Sequence, residues 1–167
     1  MSTRPKLELE HTVTDKAFEW VGWLTLMLMW LMAFVQYTKL PDTIPIHYDA
    51  KGLADGFGEN SGILTLPFIA TCLFAGLTYL NKFPHIFNYT TTITAENASD
   101  QYHASTRTLR YLKLIIVVVF GFIEFKTIQV ATGQAEGLGK WFLPLILLLM
   151  SLPTVYFISR MLLANKN

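Results

Sequence analysis

The chain has 167 residues, a formal net charge of +1, and a composition that is 52% hydrophobic and only 15% charged. Near-neutral charge gives no electrostatic footprint for nucleic acid, and so much apolar surface cannot be clothed as a soluble fold of this length. The length suits one domain, and the single cysteine, Cys72, excludes an intramolecular disulfide.

Four apolar stretches are long enough for a bilayer core of ~30 Å, which takes roughly 20 helical residues. They lie at about 17–38, 63–80, 112–132 and 141–161. Their length and lack of strict alternation select helices over barrel strands. The expectation is an all-α membrane protein, 1–167 forming a single integral membrane domain with four transmembrane helices. A cleavable leader is not expected, because the first apolar run starts late and follows a mixed-charge segment.

The first span carries Trp20, Trp23 and Tyr37 near its ends, where aromatic side chains favour the membrane interface. After it comes the loop 39–60, KLPDTIPIHYDAKGLADGFGEN, with prolines and glycines at turn-like intervals. Thr43 to Asp49 has strand character, Ala50-Lys51-Gly52 suits a turn, and Leu53 to Phe57 suits an antiparallel return. This small hairpin-like loop is where function is expected. Its candidate ligand-binding or structural residues are Pro41, Asp42, Pro45, His47, Gly52 and Asp55. His47, Asp49 and Asp55 are placed to converge, and imidazole with carboxylate suits either a structural clasp or a zinc-like ion. No second histidine lies nearby, so no metal is assigned; His47 and Asp55 would be its ligands. No cofactor is expected.

The second span holds Cys72, read as a small apolar filler. Pro67, Pro144 and Pro153 fall within predicted spans and imply tolerable kinks. Gly76 and Gly121, with Ala70, Ala75 and Ser151, are the expected close helix contacts.

Beyond the second span, 81–111 mixes aromatics with threonines and then turns helical from about Ala95. Thr94 is the expected cap, so the third helix extends well below the membrane. Arg107, Arg110 and Lys113 recur every three residues and read as a lipid-facing basic stripe on that extension. Within the third span, Glu124 follows ten apolar residues and is accompanied by Lys126, Thr127 and Gln129. Glu124 and Gln129 are the candidate intramembrane polar residues. Either Glu124 faces the bundle interior beneath the hairpin, near His47 or Asp55, or the helix ends early and leaves it at the interface.

Charge placement sets an expected orientation. Arg4, Lys6, Lys16, Lys82, Arg107, Arg110, Lys113, Arg160 and Lys166 share one side, against Lys39, Lys51, Lys126 and Lys140. The positive-inside bias then puts both termini in the cytoplasm and the hairpin outside.

The order Leu40-Pro41, Ile44-Pro45, His47, Gly52 and Asp55 resembles the family called domain of unknown function 1648. The same element forms the N-terminal module of SdpI-type membrane proteins, which give immunity to a sporulation-delay peptide toxin. The stretch 83–113, with FPHIFNY, ITAENA and TLRYLK, is similar to longer bacterial members. The resemblance implies a bacterial inner-membrane protein and, in the immunity relatives, toxin protection coupled to capture of a cytoplasmic repressor. This chain has four predicted spans where those relatives have more.

The function expected is therefore non-enzymatic: a sensor, immunity-type or ligand-binding protein acting through 39–60. Its partners would be the bilayer, a peptide or envelope ligand outside and a cytoplasmic protein inside, with no nucleic acid and with oligomers allowed. The alternative is a small transporter, channel or accessory subunit built on the polar patch around Glu124. An intramembrane enzyme is disfavoured, since no nucleophile constellation or metalloprotease spacing is present.

Overall fold

The computed structural model describes residues 4–164; Lys166 lies outside them, as does the side chain of Arg160. Helix α1 spans Val13–Tyr37. It starts four residues before the predicted boundary because Thr12 and Asp15 form a reciprocal capping box: Asp15 N donates to Thr12 Oγ1 at 3.2 Å, and Thr12 N donates to Asp15 Oδ2 at 3.0 Å. Its buried residues, Asp15, Gly22, Leu26, Met29 and Ala33, make one stripe along the helix. Trp20, Leu24, Met27, Leu31 and Phe34 face outward.

The chain then forms strands β1 (Thr43–Tyr48) and β2 (Ala54–Glu59), which pair antiparallel. A 3-10 turn at Asn60–Leu64 leads into helix α2, Thr65–Leu80. Pro67 is the third residue of α2, where no intrahelical carbonyl loses its partner, so it causes no mid-span kink. Pro144 holds the same position in helix α4, Phe142–Ala164, and Pro153 alone lies inside that helix.

Helix α3 runs over Ala98–Ala131, 34 residues or about 51 Å. Its start corrects the expectation of Thr94 as cap. Asn97 occupies the cap position and turns its side chain back on the loop, accepting from Thr94 N at 2.9 Å and donating to Thr92 O at 3.0 Å. No hydroxyl is needed at that cap because the preceding loop is itself packed. Ile93, Ala98 and Tyr102 form a small inner core, with Leu9 and Tyr89 against it.

Among the described residues, three helices are long and apolar enough to cross a bilayer: Val13–Tyr37, Asn60–Leu80 and Ala98–Ala131. Helix α4 is apolar over Phe142–Tyr156. It packs on α3, where Phe142 stacks on Phe122 with ring centroids 5.4 Å apart. Large apolar side chains cover the outer faces of α1, α2 and α4. A continuous apolar exterior of this extent needs a covering other than water.

The middle of the bundle is closed by Leu26, Met29, Ala70, Phe74 and Val117. Its tightest approach is at Gly22, where an added methyl would overlap the Phe74 ring. Gly121 meets Met29 as expected of a close contact, whereas Gly76 has open space beside it and Ala75 and Ser151 are exposed. Cys72 also lies on the exposed face of α2, outside the core. Leu40, Ile44, Ile63 and Ile128 pack at the hairpin end and seat the sheet on the helices.

Candidate functional site

The hairpin is built by local rules. Asp49 Oδ1 accepts from the backbone N of Lys51 and of Leu53, at 2.8 and 2.9 Å, and so closes the turn. Gly52 follows with φ +78°, a left-handed conformation that glycine adopts without strain. Asp49 therefore serves the turn and does not converge on His47. The pairing is irregular on both sides of His47, between Pro45 and His47 and between His47 and Tyr48. Such bulges re-aim side chains. Gly56 lies opposite His47 and leaves room for it: a Cβ there would stand 2.9 Å from His47 Cβ.

His47 Nδ1 lies 2.5 Å from Asp55 Oδ1, and both side chains are largely solvent-accessible. The carboxylate orients the ring and leaves Nε2 to face outward contacts. Among the described residues, no three His, Cys, Asp or Glu side chains are grouped closely enough to share a metal ion. Asp42 contributes its carbonyl, which accepts from Asn60 N at 3.0 Å. Pro41 is exposed and Pro45 buried, so only Pro45 anchors the strand against the bundle.

Two attachments tie the hairpin to the helices. The Tyr48 hydroxyl lies 3.0 Å from Thr127 Oγ1 on α3. Burial raises the Tyr48 pKa, so the hydroxyl stays neutral. At the tip, Leu138 N donates to Gly52 O at 2.8 Å, and Leu53 bridges Gly137. A side chain at Gly137 would strike the Gly52 carbonyl. The turn is thus latched to the segment that leads into α4.

Beneath the sheet lies a groove of about 890 Å³. Pro45 to Ala50 form one side, Gly58 to Leu66 another, and Ile123 and Thr127 of α3 the floor, with Leu138, Phe142 and Leu143 across from α2. This volume is within the range of roughly 300–1,000 Å³ typical of small-molecule sites.

Glu124 is fully buried, and neither carboxylate oxygen has a hydrogen-bond partner among the described residues. The alternative of an interfacial Glu124 is thereby removed, because α3 continues for seven residues beyond it. It does not line the groove and makes no hydrogen bond or ion pair with His47 or Asp55 among the described residues. Gln129 instead accepts from Lys126 Nζ at 3.1 Å along the helix surface.

The basic stripe is corrected for Arg110 and Lys113, which face the bundle interior, whereas the Arg107 side chain stays 47% exposed. Arg110 and Lys113 are 4% and 1% exposed. Lys113 Nζ donates to both Glu19 oxygens, at 2.8 and 2.7 Å, and to Thr78 Oγ1 at 2.5 Å. Arg107 Nε donates to Asp15 Oδ1 at 3.1 Å. Arg110 Nε stands 3.3 Å from Glu19 Oε1 in an ion pair not aligned as a hydrogen bond. The reason is helical spacing: Asp15 and Glu19, four apart on α1, face the three cations of α3, and desolvated charges require partners. This inner layer joins all three central helices, and Asn81 Nδ2 donates to Thr106 O beside it at 3.1 Å.

The N-terminal arm docks on the same end. Arg4 donates to the carbonyls of His85 and Phe87 at 3.1 and 2.6 Å and lies over the Tyr89 ring. Tyr102 donates to Pro5 O at 3.1 Å, and Arg110 Nη2 lies 2.9 Å from His11 Nε2. Sequence reasoning missed Asp15, Glu19 and Tyr48. Thr12-x-x-Asp15 was a legible capping signal, but nothing local pairs Tyr48 with a residue 79 positions later.

Residues 24–71 match the sequence profile of the family described as domain of unknown function (DUF1648), in line with the resemblance carried by the hairpin. That segment holds most of α1, the sheet and the first turns of α2. An uncharacterized protein of Archaeoglobus fulgidus is 31% identical over 85 residues, which cover 46% of this chain and 46% of that protein. The chain thus spans about half the length of that relative. No solved structure matches.

Proposed function

We propose that this chain, with DUF1648 at residues 24–71, is a multi-pass protein of a bacterial cytoplasmic membrane. It binds an external ligand at the 39–60 hairpin and relays the event inward, without enzymatic activity of its own. One observation carries the reading: the hairpin roofs a groove and is attached both to α3, through Tyr48 and Thr127, and to the segment entering α4, through Gly52 and Leu138. Displacement of the roof would therefore bear on two helices. Helix α3 continues through the ion-pair layer to the inner subdomain, the natural place for a cytoplasmic partner. Immunity to a peptide toxin is one form such a relay takes.

Two experiments test it. With Cys72→Ser and Ala50→Cys, a membrane-impermeant maleimide should label intact cells. Labelling only after lysis would put the hairpin inside and end the reading of external binding. In cells showing a protective or signalling phenotype, His47→Ala and Asp55→Ala should abolish it at unchanged membrane expression. Full retention in both variants would end the assignment to the hairpin.

A second reading rests on Glu124. A carboxylate wholly buried in an apolar helix, without a partner among the described residues, is costly, and such groups mark ion or proton pathways in membrane proteins. Helix α4 packing on α3 leaves one chain little interior for a path, so this reading requires an oligomer. Liposome flux abolished by Glu124→Gln would favour it; no flux in wild type would remove it.

A further inference from the structure

We propose that the groove under the hairpin takes a lipophilic amine: a small amphiphile with an apolar body and a terminal ammonium group. The inference rests on the ligand-binding reading above and adds the chemical class. The groove wall below the roof is apolar, formed by Ile63, Leu66, Ile123, Leu138, Phe142 and Leu143. An apolar body is the matching occupant.

The charged groups on the rim have one sign. Asp49 and Glu59 line the groove, and no Lys or Arg does so among the described residues. Glu59 is exposed, and its closest side-chain partner is Ser61 Oγ at 3.5 Å, the outer limit of a hydrogen bond. Asp49 gives Oδ1 to the turn and leaves Oδ2 without a hydrogen bond among the described residues. His47 completes the rim. Its Nδ1 is engaged by the Asp55 carboxylate. An ammonium is all donor, carries the opposite charge and offers three N–H groups. A sulfate or carboxylate headgroup could reach the Ser61 and Thr65 hydroxyls but would face like charge at Asp49 and Glu59. The match is therefore one of charge, with the carboxylates free to accept from the ammonium.

The test uses full-length protein in nanodiscs of zwitterionic lipid. Cys72→Ser with Ser61→Cys places a single thiol in the groove, and Cys72→Ser with Lys51→Cys provides a control at the exposed turn, outside the groove lining. Dodecylamine should slow maleimide labelling at position 61 at least fivefold and leave position 51 unchanged. Dodecanol and dodecyl sulfate should have little effect. Glu59→Gln should raise the amine concentration needed for protection by about tenfold.

Equal protection by all three amphiphiles would overturn the amine assignment and leave an unselective apolar groove. No protection by any would overturn occupancy of the groove. In either case the His47→Ala phenotype still decides the ligand-binding reading separately, because it does not depend on the probe.

Discussion

The Tyr48 hydroxyl of the hairpin and the Thr127 hydroxyl of α3 lie 3.0 Å apart, although 79 residues separate them in the chain. This bond fastens an exposed loop to the helix that carries the inner ion-pair layer. Tyr48→Phe and Thr127→Val should each lower stability by about 0.5–1.5 kcal/mol, and the double variant should lose little more than either. Thermal unfolding of the four proteins in detergent measures the coupling. Full additivity would mean that the hydroxyls act independently.

Gly56 allows His47 its place. Gly56→Ala puts a methyl 2.9 Å from His47 Cβ, too close for either strand to stay where it is. The His47–Asp55 bond should loosen, so that the His47 imidazole nitrogen resonances move toward those of a free ring. Unchanged ring resonances would show that the bulge absorbs the methyl.

The ion-pair layer shares two carboxylates, Asp15 and Glu19, among three cations. Glu19→Ala strands the Lys113 ammonium, which is 1% exposed, and should cost about 3–5 kcal/mol. Glu19→Met with Lys113→Met removes both charges and should recover most of that loss. Denaturant titration of the single and double variants gives the comparison. A double variant as unstable as Glu19→Ala would mean that the pair itself, not its completeness, holds the helices.

Acid should release the N-terminal arm. Burial first, and Arg110 second, depress the His11 pKa below its ordinary value of 6.5. A guanidinium only donates, so Nε2 must accept from Arg110 and has to be unprotonated. Asp15 and Glu19 oppose the shift and Lys16 adds to it. Below pH 6.5 the unfolded chain binds more protons than the folded one. The stabilisation is thus complete above that pH and declines as the pH falls toward the depressed folded value. Amide protection factors over residues 4–12 should fall between pH 7 and pH 5, and less so in His11→Gln.

Glu124 costs the fold something. Glu124→Leu removes two buried oxygens that have no partner among the described residues and should raise stability by about 1–3 kcal/mol. Glu124→Gln should change it less, since the amide stays polar. Melting temperatures in detergent decide this, and a destabilised Glu124→Leu would show that the carboxyl has a partner in the membrane. A stabilised variant that has also lost function would make Glu124 a retained functional group.

Hydropathy and turn chemistry, properties of neighbouring residues, determined four apolar helices, the hairpin with its turn near Ala50–Gly52, and the extension of α3 below the apolar core. They are local because a helix of bilayer length and a tight turn each satisfy their backbone within a short segment. His47 and Asp55, eight apart on facing strands, were within the same reach. Only the tertiary structure decided which way polar helix faces point. Arg107, Arg110 and Lys113 share a face whether that face meets lipid or α1, and the choice depends on Asp15 and Glu19 more than 90 residues away. Glu124 likewise has the same sequence neighbours at an interface or in a core. Its burial goes with α3 continuing to Ala131 and packing against α1, α2 and α4. Desolvation depends on every element around a side chain, and periodicity along one helix carries no information about the others.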